Sequence, residues 1–435
     1  MCTFAVNNTF TAMFHPALKD KYAFAKYSKL IVVSLVIGFL AALLAVSLKH
    51  ITEKYESMLF HQTQQHQLYL IIFPFFGLSL IYILRQYLFK KKENKGIKEV
   101  FESTATGKNL PSYKIPSHFI NGLLTVSFGG STGIEVSTVV STAAIGSLAQ
   151  EKEKIFRKYK TELICAGITA GITALFCSPL AGLLFAYEVV AKKANKVFLV
   201  TNILAAAMAF GFIFVIKEEP LFSLNITQWN LFALPYFILL GVICGLNSIY
   251  LTKCVMFFKA QFTKISGHYY KILIAAAIIS TMLFIFPQLY GDGYHAMKES
   301  LLTANTLKLT LPHVLIFTGL LLFKPVITSI TLSAGGDGGV FAPSLFIGAF
   351  VGLFLAAFLN TYFDAGIIPI NFMVIGMAAM LSASIHAPFT ALFLVCALVN
   401  DYTLFLPILL GTLVAKYSAK AIYPYTVYSL APAKK

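Results

Sequence analysis

Seven apolar runs constrain this chain more than any other feature of it. Residues 30–47, 68–89, 198–215, 231–251, 271–287, 312–330 and 402–416 are each close to the roughly 20 residues that an α-helix needs to cross a bilayer. A mean hydropathy of +0.77 and only 12% charged residues place the 435-residue chain outside the soluble globular range. The expected fold class is an all-α integral membrane protein with several passes. Four other apolar stretches, 117–149, 162–190, 333–359 and 372–399, are cut into shorter pieces by glycine and proline. Broken helices survive at membrane depth only where protein or a water-filled cavity satisfies the freed backbone groups. A transporter or channel meets that condition better than a receptor or an anchor does.

The formal charge of +16 lies between the apolar runs. Lys19, Lys21, Lys26 and Lys29 precede the first run, and Arg85, Lys90, Lys91, Lys92, Lys95 and Lys98 follow the second. The positive-inside rule makes both groups cytoplasmic and puts the loop from Glu53 to Gln67 outside. Lys192, Lys193 and Lys196 mark another cytoplasmic turn, as do Lys259, Lys264 and Lys271. The charge is therefore read as topological, with no nucleic-acid partner. Both termini are expected in the cytoplasm of a plasma or inner membrane protein. Residues 1–29 read as a lead-in helix lacking the features of a secretory signal. Six cysteines without CxxC spacing read as packed thiols, with no metal site, disulfide framework or cofactor expected.

Two glycine-rich segments echo each other. Gly129, Gly130 and Gly133 match Gly335, Gly336 and Gly339 at a constant offset. A second pair of segments, 167–188 and 376–397, aligns Gly167 with Gly376, Ala170 with Ala379, Ala174 with Ala383, Pro179 with Pro388 and Leu183 with Leu392. The same order at similar offsets divides the membrane domain near residue 218, into halves 30–217 and 218–422, with a short tail 423–435 carrying no soluble domain. Glycine-interrupted segments at corresponding places of two halves are the expected mark of an ion site at the repeat interface. Gly167, Ala170, Gly171 and Ala174 are read as packing residues.

Glu135 lies alone in the first segment, Gly133-Ile134-Glu135-Val136-Ser137. A carboxylate in the membrane interior costs on the order of 2.5–3.5 kcal/mol, and no Lys or Arg stands between His118 and Lys152 to pair with it. Glycine-led helix starts offer free N–H groups and the positive end of the helix dipole. A tethered carboxylate there would occupy the place of a free anion and act as a gate coupled to protons. In the second segment Phe341 stands at the equivalent position, so Val340 and Phe341 are expected to contribute main-chain N–H groups, with Pro343 fixing the first turn. Asp337 reads as an N-cap or entrance residue.

At these segments the chain resembles the CLC chloride channel and transporter family. Gly339-Val340-Phe341-Ala342-Pro343 fits its Gly-x-Phe-x-Pro signature, and Ser178-Pro179-Leu180-Ala181-Gly182 through Glu188 and Ala387-Pro388-Phe389-Thr390 look like its paired membrane segments. The resemblance implies a CLC-like inverted-repeat bundle of many tilted and broken helices, a homodimer with one pathway per subunit, and Glu135 as the external gate. It also implies an anion site made by Val340, Phe341, Gly133, Ile134 and the Tyr428 hydroxyl. Three departures stand out. The family's Gly-Lys/Arg-Glu-Gly-Pro motif is Gly133-Ile134-Glu135-Val136-Ser137 here. Its Gly-Ser-Gly-Ile-Pro motif has the counterpart Asn94-Lys95-Gly96-Ile97-Lys98, in which Lys95 either holds an anion or snorkels into the cytosolic vestibule, the second being favoured. Val189 replaces the internal glutamate of proton-coupled members, leaving Glu188 either to pass protons or to pair with Lys192 one turn on.

Transmembrane movement of a small inorganic anion, chloride first, by a channel or a proton-linked exchanger, is the expected function. A fluoride exporter of the same family is the alternative. An intramembrane serine hydrolase built on Ser131 and His386 is a remote one, since a serine nucleophile needs a base within hydrogen-bond reach and nothing in the spacing shows one.

Overall fold

The computed structural model describes the backbone of residues 7–428 except residues 93 and 153, and the side chains from residue 27 onward except 93 and 151–155. Helices account for most of it. The first group comprises α1 (Asn7–Gln65), α2 (Tyr69–Ile83), α3 (Lys98–Thr106), α4 (Lys114–Ser127), α5 (Glu135–Lys152), α6 (Lys154–Arg157), α7 (Lys160–Phe176), α8 (Pro179–Phe185) and α9 (Lys196–Val215). The second comprises α10 (Leu234–Lys264), α11 (His268–Ile285), α12 (Tyr294–Thr303), α13 (Leu311–Ser333), α14 (Phe341–Phe363), α15 (Pro369–Ile385), α16 (Pro388–Leu398) and α17 (Phe405–Ile422). Among the described residues, eight helices are long and apolar enough to cross a membrane: α1, α2 with its π-helical continuation to Leu88, α9, α10, α11, α13, α14 and α17.

The glycine- and proline-broken stretches form the centre of the molecule. From Leu163 to Phe176, Phe341 to Leu353 and Asn371 to Ile385, every residue of α7, α14 and α15 is buried. Such helices approach one another through glycine. A Cβ on Gly167 would overlap the Thr142 carbonyl of α5, and one on Gly376 the Gly348 carbonyl of α14. Removing the side chain lets dispersion contacts form between backbones, which drives helix association where apolar burial does not. The packing role expected of Gly167 is met. Around this centre, α1, α2, α9 and α11 expose apolar residues such as Val36, Phe76, Ile203 and Phe284, as a lipid-facing surface requires.

The two matched pairs of segments are also structurally alike. Helices α7 and α15 are both 17 residues long and end on residues in the left-handed conformation, Cys177 (φ 54°) and His386 (φ 57°). Each is followed at once by a proline-led helix, α8 or α16.

The described part of the N-terminal lead-in is helical, and one expectation beyond it, a loop from Glu53 to Gln67, requires correction. Helix α1 passes residue 29 without a break, so the lead-in and the first span are one helix. Residues 1–6 lie outside the described residues. The segment from Glu53 is not a loop, because α1 continues to Gln65. No glycine or proline interrupts it there, and Glu56 is buried against the backbone of Asp292.

Candidate functional site

The two glycine segments meet. Gly133 N–H donates to Gly339 O at 3.2 Å and Gly339 N–H donates back to Gly133 O at 3.1 Å, an isolated antiparallel bridge in an otherwise helical protein. The surroundings repeat across it. Gly130 N–H donates to Thr125 O at 2.8 Å, and Gly336 N–H to Thr331 O at 2.9 Å. Thr331 lies against Gly130, and Thr125 against Gly336. Gly129 (φ 82°) and Gly335 (φ 108°) occupy backbone conformations that side chains disfavour. Helix α5 starts two residues after Gly133, and α14 two residues after Gly339. The bridge therefore brings two helix N-termini together, with their positive dipole ends converging.

Glu135 opens α5 and is 1% exposed. Its Oε1 accepts a 2.7 Å hydrogen bond from the Tyr294 hydroxyl of α12. Its Oε2 folds back over Gly133 beside the Ala342 methyl, near the backbone N–H groups of Glu135 and Ala342, and among the described residues meets no hydrogen bond of full geometry. A carboxylate thus stands against the start of both helices. Among the described residues, the N–H groups of Ile134, Val340 and Phe341 have no partner, as expected of groups at helix starts. Gly133 differs from them: its N–H is used by Gly339 O, so it braces the meeting of the two segments.

Cavities lie on either side of Glu135. On one side a space of about 20 Å³, lined by Glu135, Ile134 and Tyr294, shares Lys49, Glu53, Asp292 and Tyr294 with an open cavity of about 660 Å³. On the other, a chamber of about 150 Å³ lies between Val136, Val340 and Tyr428. This chamber shares Lys95, Lys98 and Lys259 with a cavity of about 680 Å³ on the lysine-rich face. Tyr428, the last described residue, has a buried hydroxyl near Gly339 that finds no hydrogen-bond partner among the described residues. An unpartnered buried hydroxyl costs about 1–3 kcal/mol, which an anion in the chamber would recover. Lys95 lines the chamber's rim but is exposed, with its backbone N–H held by Glu99.

Tyr294 escaped the sequence reading. It follows the turn Gly291-Asp292-Gly293, whose glycines take φ 57° and 89°. Asp292 Oδ1 accepts from Tyr294 N–H at 2.9 Å, and Glu56 Oε1 from Asp292 N–H at 3.2 Å. Lys324, fully buried on α13, donates to Leu289 O at 3.3 Å and Gly291 O at 3.2 Å, and lies over the Phe346 ring. The Gly-Asp-Gly-Tyr sequence was the available signal: two glycines around a carboxylate mark a turn that aims the next residue.

Four other candidate residues take partners or places that the sequence did not show. Glu188 does not pair with Lys192; its Oε2 accepts from Thr390 N–H at 2.8 Å and Thr390 Oγ1 at 2.7 Å. The chain is π-helical from Ala186 to Ala191 and leaves the helix at Lys192 (φ 56°), so the four-residue spacing no longer aligns the two side chains. Glu188 instead caps α16, where Ala387 has no side chain to do so, whereas Ser178 caps α8. Asp337 is no N-cap: it is buried and ion-paired with Arg85 at 2.8 Å, and Asn94 donates to its other oxygen. Ser131 Oγ lies 3.1 Å from Thr328 Oγ1, and His386 terminates α15, so no nucleophile–base pair forms. Among the described residues no cluster of His, Cys, Asp and Glu could hold a metal ion, and Cys165, Cys177, Cys244, Cys254 and Cys396 are free thiols.

Solved structures share the architecture. The chain is similar to a slow cyanobacterial Cl⁻/H⁺ antiporter (TM-score 0.79, 23% identity, covering 92% of this chain and 96% of that one). It is similar to a CLC-type fluoride/proton antiporter as well (TM-score 0.77, 24% identity, 92% and 97%). Among curated proteins it is 25% identical over 378 residues to a putative chloride channel protein ClcB-like of Ralstonia nicotianae, covering 84% of this chain and 85% of that protein. It is 26% identical over 318 residues to the voltage-gated ClC-type chloride channel ClcB of Escherichia coli O17:K52:H18, covering 72% and 74%. The family model described as voltage gated chloride channel matches residues 76–420, and the chain therefore belongs to that family of membrane anion channels and transporters, which are not enzymes.

Proposed function

We propose that this protein moves chloride across the membrane through a pathway in each subunit, gated by the Glu135 carboxylate. The observation that carries the reading is the buried carboxylate standing between two chambers and against two converging helix starts. An anion held by the free N–H groups of Ile134, Val340 and Phe341 and an ionised Glu135 compete for the same converging helix dipoles and repel each other, and the Tyr428 hydroxyl donates to the anion from the inner chamber. Protonation removes the charge that seats Glu135 and frees the cradle, so proton and anion binding are linked. This supports a proton-linked exchanger as well as a channel.

The topology belongs to the same proposal. The lysine-rich face is cytoplasmic, both termini lie on that side, and the two halves divide near residue 218. Two subunits associate through α8, α16 and α17. Helices α8 and α16 have only 7 and 11 residues, too few to cross a bilayer, yet they expose Leu180 and Phe389, with Leu406 of α17 beside them.

The test is efflux from liposomes holding the purified protein, with chloride, fluoride and internal pH recorded together. Glu135→Gln and Glu135→Ala are expected to abolish proton movement and flatten the pH dependence of anion flux. Parent-like behaviour of both variants refutes the gate, and fluoride flux far above chloride flux makes the protein a fluoride exporter.

A further inference from the structure

The 680 Å³ cavity on the lysine-rich face holds more charge than passage of a monovalent ion requires. Lys91, Lys92, Lys95, Lys98, Lys259 and Lys271 line it together with Arg85, and no Asp or Glu is among its lining residues. Asp337 neutralises Arg85, whereas none of the six lysines has a carboxylate within ion-pair distance among the described residues. Burial, and then the Lys259 charge, push the Lys98 ammonium below its ordinary value, so the cations crowd one another. A conduit must bind its ion weakly enough to release it. A cluster of this density favours a multivalent anion instead.

The cavity's shape narrows the chemistry further. Leu78 and Ile81 of α2, Phe262 of α10 and Ile272 of α11 form apolar wall beside the lysines. A basic cleft between membrane helices with an apolar wall suits a phosphate-bearing group attached to an apolar or aromatic body.

We propose that this cavity is a binding site for a multivalent phosphate group, supplied by a soluble polyphosphate such as a nucleoside triphosphate or by an anionic phospholipid headgroup. Because Lys95, Lys98 and Lys259 also line the chamber below Tyr428, the occupant covers the inner mouth and slows anion passage. That second effect rests on the proposed transport function; the binding itself does not.

Calorimetry on the protein in nanodiscs of neutral phosphatidylcholine, titrated with inorganic tripolyphosphate, tests the soluble source. Saturable binding is expected, weakened about tenfold or more when Lys91, Lys98 and Lys259 are changed to Gln, and retained when they are changed to Arg. Native mass spectrometry of the protein from discs containing phosphatidylglycerol tests the headgroup. Retention of that lipid by the parent and by the Arg variant, with loss in the Gln variant, assigns the site to lipid. If neither tripolyphosphate nor phosphatidylglycerol binds, or if the Gln variant binds as the parent does, the proposal is overturned. Both readouts need no ion flux, so a failure of the Glu135 gate leaves them intact.

Discussion

Tyr294→Phe isolates one atom of the proposed gate. The ring packs edge-on against Phe222 at 6.0 Å between centroids, a contact that phenylalanine keeps. What it loses is the 2.7 Å hydrogen bond to Glu135 Oε1, the only side-chain partner this carboxylate has among the described residues. A hydrogen bond to a charged group contributes about 1.5–3 kcal/mol. At about 1.4 kcal/mol per decade, its loss shifts the balance between seated and displaced carboxylate by about 10- to 150-fold. Chloride efflux at neutral pH should rise by at least the lower figure, up to the ceiling set by the open pathway. In acid, where Glu135 is protonated and already displaced, parent and variant should converge. The double variant with Glu135→Gln separates a latch from a general loosening of α12, because the gain from Tyr294→Phe should largely vanish in that background. An equal gain in both backgrounds, or no gain at neutral pH, refutes the latch.

Three further outcomes follow from the geometry. Gly339→Ala places a methyl group on the Val136 side chain and disrupts the bridge to Gly133; chloride efflux should fall about tenfold or more, with the yield of monodisperse protein on gel filtration showing whether the fold persists. Arg85→Ala leaves Asp337 buried without its cation and should lower unfolding stability in detergent by about 3–5 kcal/mol, measured by thermal melting, whereas Arg85→Ala with Asp337→Asn should recover much of it. Glu188→Ala removes the cap of α16 and should cost about 1 kcal/mol in the same melt, with Glu188→Gln nearly neutral because an amide oxygen still accepts from Thr390; equal losses in the two variants contradict a capping role.

The pairing of the two glycine segments was legible in the sequence because it is built from backbone. Glycine at 129, 130 and 133, repeated at 335, 336 and 339, records conformations and close approaches that only glycine tolerates, so the spacing alone pointed to paired segments. The apolar runs were legible for the same local reason, since hydropathy needs no tertiary knowledge. Partners that are distant in sequence were not. Tyr294 lies 159 residues from Glu135, and one tyrosine among 21 carries no mark of its target. Glu188 was expected to meet Lys192 on α-helical spacing, but the chain is π-helical there and the carboxylate reaches Thr390, 202 residues away. Asp337 read as an N-cap or an entrance residue; it lines the inner chamber but caps nothing, and its partner Arg85 was hidden because it comes from the end of a different helix. Glu53 to Gln67 looked like a loop because charged residues at a membrane edge resemble one, although nothing up to Gln65 breaks a helix.

The paired glycines at 133 and 339 have a consequence for how such a site arises and changes. Two reciprocal main-chain bonds tie residues 206 positions apart, so neither half of the chain can display the cradle before the other has folded beside it. Fragments ending near residue 218 should insert as helices yet lack halide affinity until they are mixed. The same staple makes the recognition surface indifferent to most side-chain drift. Substitutions such as isoleucine and valine flanking Glu135 can accumulate around it while the geometry offered to the ion stays fixed.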